Sequence, residues 1–255
     1  MKFNRPLVVA HRGASAYVLD NTLEAFELAL KQGATVLEMD IRQTKDGHII
    51  VLHNLGFRKR LRRYLVKNLT LDRLQFLTNG KILVLEDVIK RFKKRAILDF
   101  DIKDRRLVPE LIRLIKKHKL DLNRILIDSR RSSTLEDVRL HLPKSRLVLS
   151  YALSDSADLS KRKILKGLVI GISRSMNRIL PIRFKRKVVK NHYYGVSLPY
   201  SFVYKRLVDY FHKNHVKVFA WPPDTEKVLR RMVKNGVDGI KTPRPDVLSQ
   251  ILKET

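Results

Sequence analysis

Glu38 and Asp40 stand two residues apart in Val36-Leu37-Glu38-Met39-Asp40-Ile41. In a strand, residues i and i+2 share a face, so the two carboxylates point the same way. Like charges side by side on a buried strand are costly unless a cation or hydrogen bonds compensate them. Carboxylate oxygens suit hard cations such as Mg²⁺ or Ca²⁺, although an ordinary half-exposed strand would show the same pattern. A second run, Ala96-Ile97-Leu98-Asp99-Phe100-Asp101-Ile102-Lys103, repeats the arrangement. Asp99, Asp101 and Lys103 fall on one face, and Leu98, Phe100 and Ile102 on the other. A polar row ending in lysine could hold a metal and a phosphate; a structural Asp101–Lys103 ion pair is the plainer alternative.

Two histidines join these groups. His11 follows the apolar run Leu7 to Ala10, within His11-Arg12-Gly13, and His53 closes Ile49-Ile50-Val51-Leu52-His53. Imidazole titrates near neutrality, so a pair can act as general base and general acid on opposite sides of a phosphorus.

These residues need a frame. Short β-branched runs at 7–10, 36–41, 96–102, 125–128, 147–151, 194–198, 217–221 and 238–242 read as strands. Between them, helical periodicity covers 22–31, 71–77, 85–94, 107–118, 134–140, 203–213 and 225–235. Alternation of this kind predicts parallel strands with helical crossovers, and the strand count and length predict a TIM (β/α)8 barrel, with 1–255 as one domain. Asp46-Gly47 is a turn signal, so 49–53 should return as a hairpin after the second strand. The run 167–173 reads as an extra strand or a buried helix. Asn21 with Glu24 three residues later forms a capping-box pattern ahead of Leu23, Phe26 and Leu30. That start places His11-Arg12-Gly13 in the loop after strand one, on the face where barrel chemistry gathers.

Composition narrows the partners. The 255 residues carry 54 Lys and Arg against 25 Asp and Glu, a net charge of +29, and 44% hydrophobic residues support a core. With no cysteine, disulfides and thiolate metal sites are excluded. The apolar run near the N-terminus is too short for a signal peptide, and no uncharged stretch can span a bilayer. The expectation is a cytoplasmic protein, with peripheral membrane contact as an option. Such a surface attracts nucleic acid, anionic headgroups or phosphate substrates, unless its cations are simply solvated. The charge is uneven: from Lys161 to Val208 there is no acidic residue and thirteen Lys or Arg, and Arg58-Lys59-Arg60-Leu61-Arg62-Arg63-Tyr64 follows closely on His53.

Taken in order and spacing, these motifs resemble the glycerophosphodiester phosphodiesterase family. The resemblance rests on His11-Arg12-Gly13, Asp20-Asn21-Thr22, Glu38-Met39-Asp40, Thr44-Lys45-Asp46-Gly47, His53, Leu98 to Lys103, Val218 to Trp221 and Gly236-Val237-Asp238-Gly239-Ile240. It is densest over 7–103 and weak from about 130 to 190. It implies a TIM barrel that hydrolyses glycerophosphodiesters to glycerol 3-phosphate and an alcohol with a divalent cation, Mg²⁺ or Ca²⁺. It assigns Glu38, Asp40 and Asp101 to the metal, His11 and His53 to acid–base catalysis, and Arg12 and Lys103 to the substrate phosphate. Asp99 and Trp221 are further candidates for the mouth. Asp101 stands where the family has Glu, about 1.5 Å shorter in reach. Asp20 replaces a Glu, Asn54 replaces an Asp, and Pro222-Pro223-Asp224 replaces a Thr-Val-Asn run.

The sequence therefore reads as a metal-dependent phosphodiesterase acting on a small-molecule or lipid-linked diester, lysophospholipids included. Phe57, Tyr64 and the basic run beside them suit an anionic membrane surface. A rival reading keeps the fold but loses turnover, leaving a barrel that binds anionic lipid or phosphate-containing ligands. A nucleic-acid binder ranks below both, because base-stacking motifs are absent.

Overall fold

The computed structural model describes residues 5–59, 62–151 and 180–254. The chain opens with β1 (Leu7–His11), α1 (Leu23–Lys31), β2 (Val36–Gln43), β3 (Ile49–Val51), β4 (Gly56–Lys59) and β5 (Arg62–Leu65). It continues through α2 (Leu71–Thr78), β6 (Leu83–Val84), α3 (Leu85–Phe92), β7 (Ile97–Ile102), α4 (Val108–Lys117), β8 (Ile125–Ser129), α5 (Ser132–His141) and β9 (Leu147–Ser150). The last part is α6 (Leu180–Lys190), β10 (Gly195–Pro199), α7 (Lys205–Lys213), β11 (Lys217–Trp221), α8 (Glu226–Lys234), β12 (Gly239–Thr242) and α9 (Pro245–Glu254).

Eight strands run parallel in the order β1-β12-β11-β10-β9-β8-β7-β2, and β2 pairs back onto β1 to close the ring. This is the expected TIM barrel. The eight strands fall where the apolar runs placed them, within about two residues at either end. The expected hairpin is also present: β3 returns antiparallel on β2, with Ile41 opposite Val51 and Gln43 opposite Ile49. Gly47 makes the turn at φ 91, and the Asp46 carboxylate accepts from Thr44 Oγ1 (2.6 Å) and from the backbone N–H of Leu71 (3.1 Å). The Thr44-Lys45-Asp46-Gly47 motif thus fastens the hairpin to the start of α2.

The inward face of each strand changes character along its length. Toward the N-terminal ends, Val9, Val36, Leu126, Val148 and Phe219 form an apolar floor inside the ring. Two residues further along, the same faces carry His11, Glu38, Asp128, Ser150 and Trp221 around a polar cleft. Period-two geometry makes this inevitable once the floor residues point inward. Phe219 fills the floor because two neighbours have no side chain. A Cβ on Gly239 would lie 2.5 Å from its ring, and one on Gly195 would lie 2.9 Å away. Outward-facing Leu37, Met39, Leu98, Phe100, Ile127 and Ile240 join the helices in the main core. No helix among the described residues is long and apolar enough to cross a membrane.

Some details depart from the sequence expectations. α1 is capped by Thr22, whose side chain accepts from the Ala25 N–H (3.1 Å), and not by Asn21. Asn21 sits at φ 57 with its side chain turned inward, so it cannot present an oxygen to the helix. Of the basic run, Arg58, Lys59 and Arg62 to Tyr64 lie in strands: β4 and β5 pair antiparallel, and Phe57 stacks on Tyr64 with ring centroids 5.6 Å apart. The helices α6 and α9 were not among the periodic segments. The run 167–173 lies outside the described residues, as does most of the basic stretch that starts at Lys161.

Candidate active site

Strand register builds the site. Glu38 on β2 pairs with His11 on β1 and Asp99 on β7, Asp40 pairs with Asp101, and Asp101 pairs with Asp128 on β8. Adjacent strands lie about 4.8 Å apart, so residues that share a register row are brought within reach of one another. The outcome is a cluster in which one oxygen each from Glu38, Asp40 and Asp101 lies within 4.8 Å of the others. The shorter Asp101 side chain therefore still reaches the other two.

The loop after β1 locks onto these carboxylates. Arg12 and Gly13 both take left-handed backbone, at φ 60 and φ 83. A Cβ on Gly13 would meet Ala25 at 2.6 Å, so only glycine passes α1 this closely. The turn aims the Arg12 N–H at Glu38 Oε2 (2.8 Å). The Asn21 N–H donates back to the Arg12 carbonyl (3.0 Å), closing the loop. Arg12 Nε lies 2.9 Å from Asp40 Oδ2, and its Nη1 lies 3.2 Å from Asp20 Oδ2. Asp20, the departure from the family pattern, is therefore a tether for Arg12.

Lys103 bridges the two strands, with Nζ 2.8 Å from Asp40 Oδ1 and 2.5 Å from Asp101 Oδ2. The alternative of a structural Asp101–Lys103 pair is thus present together with the cluster. His11 lines the cleft with Arg12, Glu38, Asp101 and Lys103. His53 follows β3, and Arg42 holds its carbonyl through Nη2 (2.6 Å) and Nε (3.0 Å). Its Nδ1 lies 3.3 Å from Asn54 Oδ1, so the amide at 54 still offers the ring an acceptor. Trp221 ends β11 at the cleft, and its buried Nε1 has no hydrogen-bond partner. Asp99 lies deeper than a mouth residue, fully buried inside the barrel.

Electrostatics sharpen the picture. Burial raises the Glu38 carboxyl above its usual range, and neighbouring Asp40 raises it further. Burial raises Asp101 as well, partly offset by Lys103. For Asp40 burial acts the same way, but Lys103 and Arg12 outweigh it and hold the group below the usual range. Burial, then the Arg12 charge, lowers His11 to about 3, so its imidazole is neutral at pH 7. Burial lowers His53 too. Among the described residues, the carboxyls of Glu38, Asp40, Asp99, Asp101 and Asp128 are gathered beside Arg12, Lys103 and Lys241.

Those residues fit a divalent cation. The donors are hard oxygens crowded together, and Asp101 Oδ1 is buried with no hydrogen-bond partner. Sequence reasoning missed Asp128 and Lys241, which line the same cleft. Each carried a usable signal, a charged residue inside an otherwise apolar parallel strand, since such positions are almost never buried unpaired.

A parallel barrel with a carboxylate cluster, flanking cations and a histidine at the C-terminal ends of its strands has the layout of a barrel enzyme's active site. Comparison is more specific. The glycerophosphoryl diester phosphodiesterase family model matches residues 11–247, and the chain belongs to that family of phosphoric diester hydrolases. A glycerophosphodiester phosphodiesterase of Caldanaerobacter subterraneus subsp. tengcongensis is 27% identical, covering 98% of this chain and 99% of the relative. A crystal structure of a glycerophosphodiester phosphodiesterase homologue from Galdieria sulphuraria superposes with a TM-score of 0.79 at 21% identity, covering 97% and 98% of the two chains. An Oleispira antarctica phosphodiesterase, solved with the product sn-glycerol-3-phosphate, gives a TM-score of 0.75 at 18% identity over 98% and 97%.

Proposed function

We propose that the protein hydrolyses glycerophosphodiesters to glycerol 3-phosphate and an alcohol, using a divalent cation, Mg²⁺ or Ca²⁺, held by Glu38, Asp40 and Asp101. The observation that carries this reading is the three-carboxylate cluster, with its uncompensated Asp101 oxygen, set beside His11, Arg12 and Lys103. When bound, the cation supplies positive charge for the phosphate oxygens and lowers the barrier to attack at phosphorus. Lys103 and Arg12 neutralise the remaining phosphate charge as it builds, from positions fixed by Asp40 and Asp20. His11, neutral at working pH, accepts the proton of the nucleophile, which is a water or the substrate glycerol hydroxyl; in the second case a cyclic phosphate forms and a water then opens it to glycerol 3-phosphate. His53, in its protonated imidazolium form, gives its extra proton to the leaving alkoxide and returns to neutral imidazole, and Asn54 orients its ring.

The test is release of glycerol 3-phosphate from glycerophosphocholine with added Mg²⁺ or Ca²⁺, and its loss in EDTA. Unchanged turnover in both His11→Ala and Glu38→Ala would sink the reading. Cation and phosphate binding without any hydrolysis would support the rival, a barrel that binds and does not turn over.

The rim supports a lipid-linked substrate taken from an anionic membrane surface. Leu19 and Leu55, 68% and 62% exposed, sit one residue before Asp20 and two after His53. Next to Leu55 the β4–β5 hairpin exposes Arg58, Lys59, Arg62 and Arg63. Exposed apolar side chains within a basic rim suit an interface of acyl chains and anionic headgroups. Sedimentation with phosphatidylglycerol vesicles but not phosphatidylcholine vesicles is expected, with loss on Leu55→Ser combined with Arg62→Ser and Arg63→Ser. Equal recovery of that variant would remove the hairpin from the membrane contact.

A further inference from the structure

Beside the carboxylate cluster lies a second group of charges that the proposed reaction does not use. Lys241 projects from β12 into the barrel, its side chain 5% exposed, with Nζ 2.7 Å from Asp99 Oδ2 and 2.7 Å from Asp128 Oδ2. The two groups are continuous. Asp99 is the register partner of Glu38, and Asp128 is that of Asp101. On Asp99, Asp101 and Asp128 alike, Oδ1 is buried without a hydrogen-bond partner. A divalent cation entering this cleft therefore meets two sets of oxygen donors: Glu38, Asp40 and Asp101 in one, and Asp99 and Asp128 in the other.

We propose that Lys241 is a positioning residue for the metal: its ammonium is a tethered cation that occupies the Asp99–Asp128 pair and confines the divalent ion to Glu38, Asp40 and Asp101. This rests on the metal reading above, and it gives a buried lysine a task that simple packing does not. A structural ion pair in a barrel core is often replaced by apolar side chains with little loss. A lysine that excludes a cation cannot be replaced in that way, because its removal leaves two acidic donors facing the ion. The three residues come from β7, β8 and β12, so the barrel itself holds the charge at the centre of the shaft.

Calorimetric titration with Ca²⁺ alone, without substrate, reads this directly. The wild-type protein should take one ion, and Glu38→Gln should weaken it by about tenfold or more. Lys241→Met should take two ions, the second disappearing when Asp99→Asn is added, while Lys241→Arg should keep one. A folded Lys241→Met protein with one site of unchanged affinity would overturn the role of Lys241 and leave the proposed function standing. Wild-type binding indifferent to Glu38→Gln would overturn both. If Lys241→Met does not fold, the combination Lys241→Met, Asp99→Asn, Asp128→Asn removes the buried charges and decides the matter. It should bind one ion within about threefold of wild type, whereas a loss of about tenfold or more would make Asp99 or Asp128 a ligand in its own right and refute the proposal.

Discussion

Asn21 and Asp40 hold each other twice. Asn21 Nδ2 donates to Asp40 Oδ2 (3.1 Å), and the Asp40 N–H donates to Asn21 Oδ1 (3.3 Å). The residue that the sequence presents as a helix cap instead orients a metal-candidate carboxylate from behind. Asn21→Ala should lower divalent-cation affinity by about 10–100-fold, the usual range for residues that support a ligand. It should also cost about 1–3 kcal/mol of stability, since buried polar groups on Asp40 lose their partner. Thr22→Ala should cost about 1 kcal/mol and leave cation affinity alone, because Thr22 is the cap. Calorimetry and urea unfolding on the two variants separate these effects.

Cation binding should itself stabilise the fold. Ca²⁺ or Mg²⁺ at a hundred times its Kd should add about 2.7 kcal/mol, read as a rise in Tm that EDTA reverses. Asp101→Asn should abolish most of that rise. A full rise in the variant would place the ion away from Asp101.

Acid should destabilise the protein through several groups, with Glu27 and His11 among them. Glu27 is held at about 2 by hydrogen bonds from Arg95 and then Arg91. Its folded-state pKa lies below the unfolded value of 4.5, so its contribution is complete above pH 4.5 and is lost as the pH falls toward 2. His11, at about 3 against 6.5 unfolded, refuses a proton that the unfolded chain accepts; its contribution is complete above pH 6.5 and falls away toward pH 3. Urea midpoints from pH 7 to 3 should therefore decline in two stages. Glu27→Gln should lessen the slope of the lower stage, which Glu86 shares, and His11→Gln that of the upper, and unchanged slopes would contradict the assignment.

Phe219 and Gly239 should show strong coupling. Gly239→Ala forces a methyl into the Phe219 ring and should cost about 1–3 kcal/mol. Phe219→Ala empties the floor and should cost about 3–5 kcal/mol. The double variant should be less destabilised than the sum, because each change relieves the other. Simple additivity would mean that the two do not share space.

The barrel was legible because its strands are buried on both faces, so each appears as an apolar run whatever its neighbours are. The carboxylate site was legible for a related reason: Glu38 and Asp40, like Asp99, Asp101 and Lys103, interrupt such runs at period two. The Asn21 misreading shows the limit of local pattern. A capping-box spacing carries no information on a φ of 57, which is set by the hydrogen bond from Asn21 to the Arg12 carbonyl. Lys241 needed partners 142 and 113 residues away, a relation that only strand order creates. The β4–β5 pairing was hidden because its arginines and lysine face solvent, and only Phe57 and Tyr64 mark the register. α6 was masked by its own charge, with Arg183, Lys185, Arg186 and Lys187 crowding the apolar stripe.

The Phe219 floor has a kinetic corollary. A ring wedged over Gly195 and Gly239 makes the shaft a blind alley, with one doorway for arrival and departure. Traffic through a single doorway is sequential: whatever phosphate remains inside bars the next molecule. Inhibition by the released phosphate ester should then be purely competitive, because occupant and newcomer can never be in the alley together.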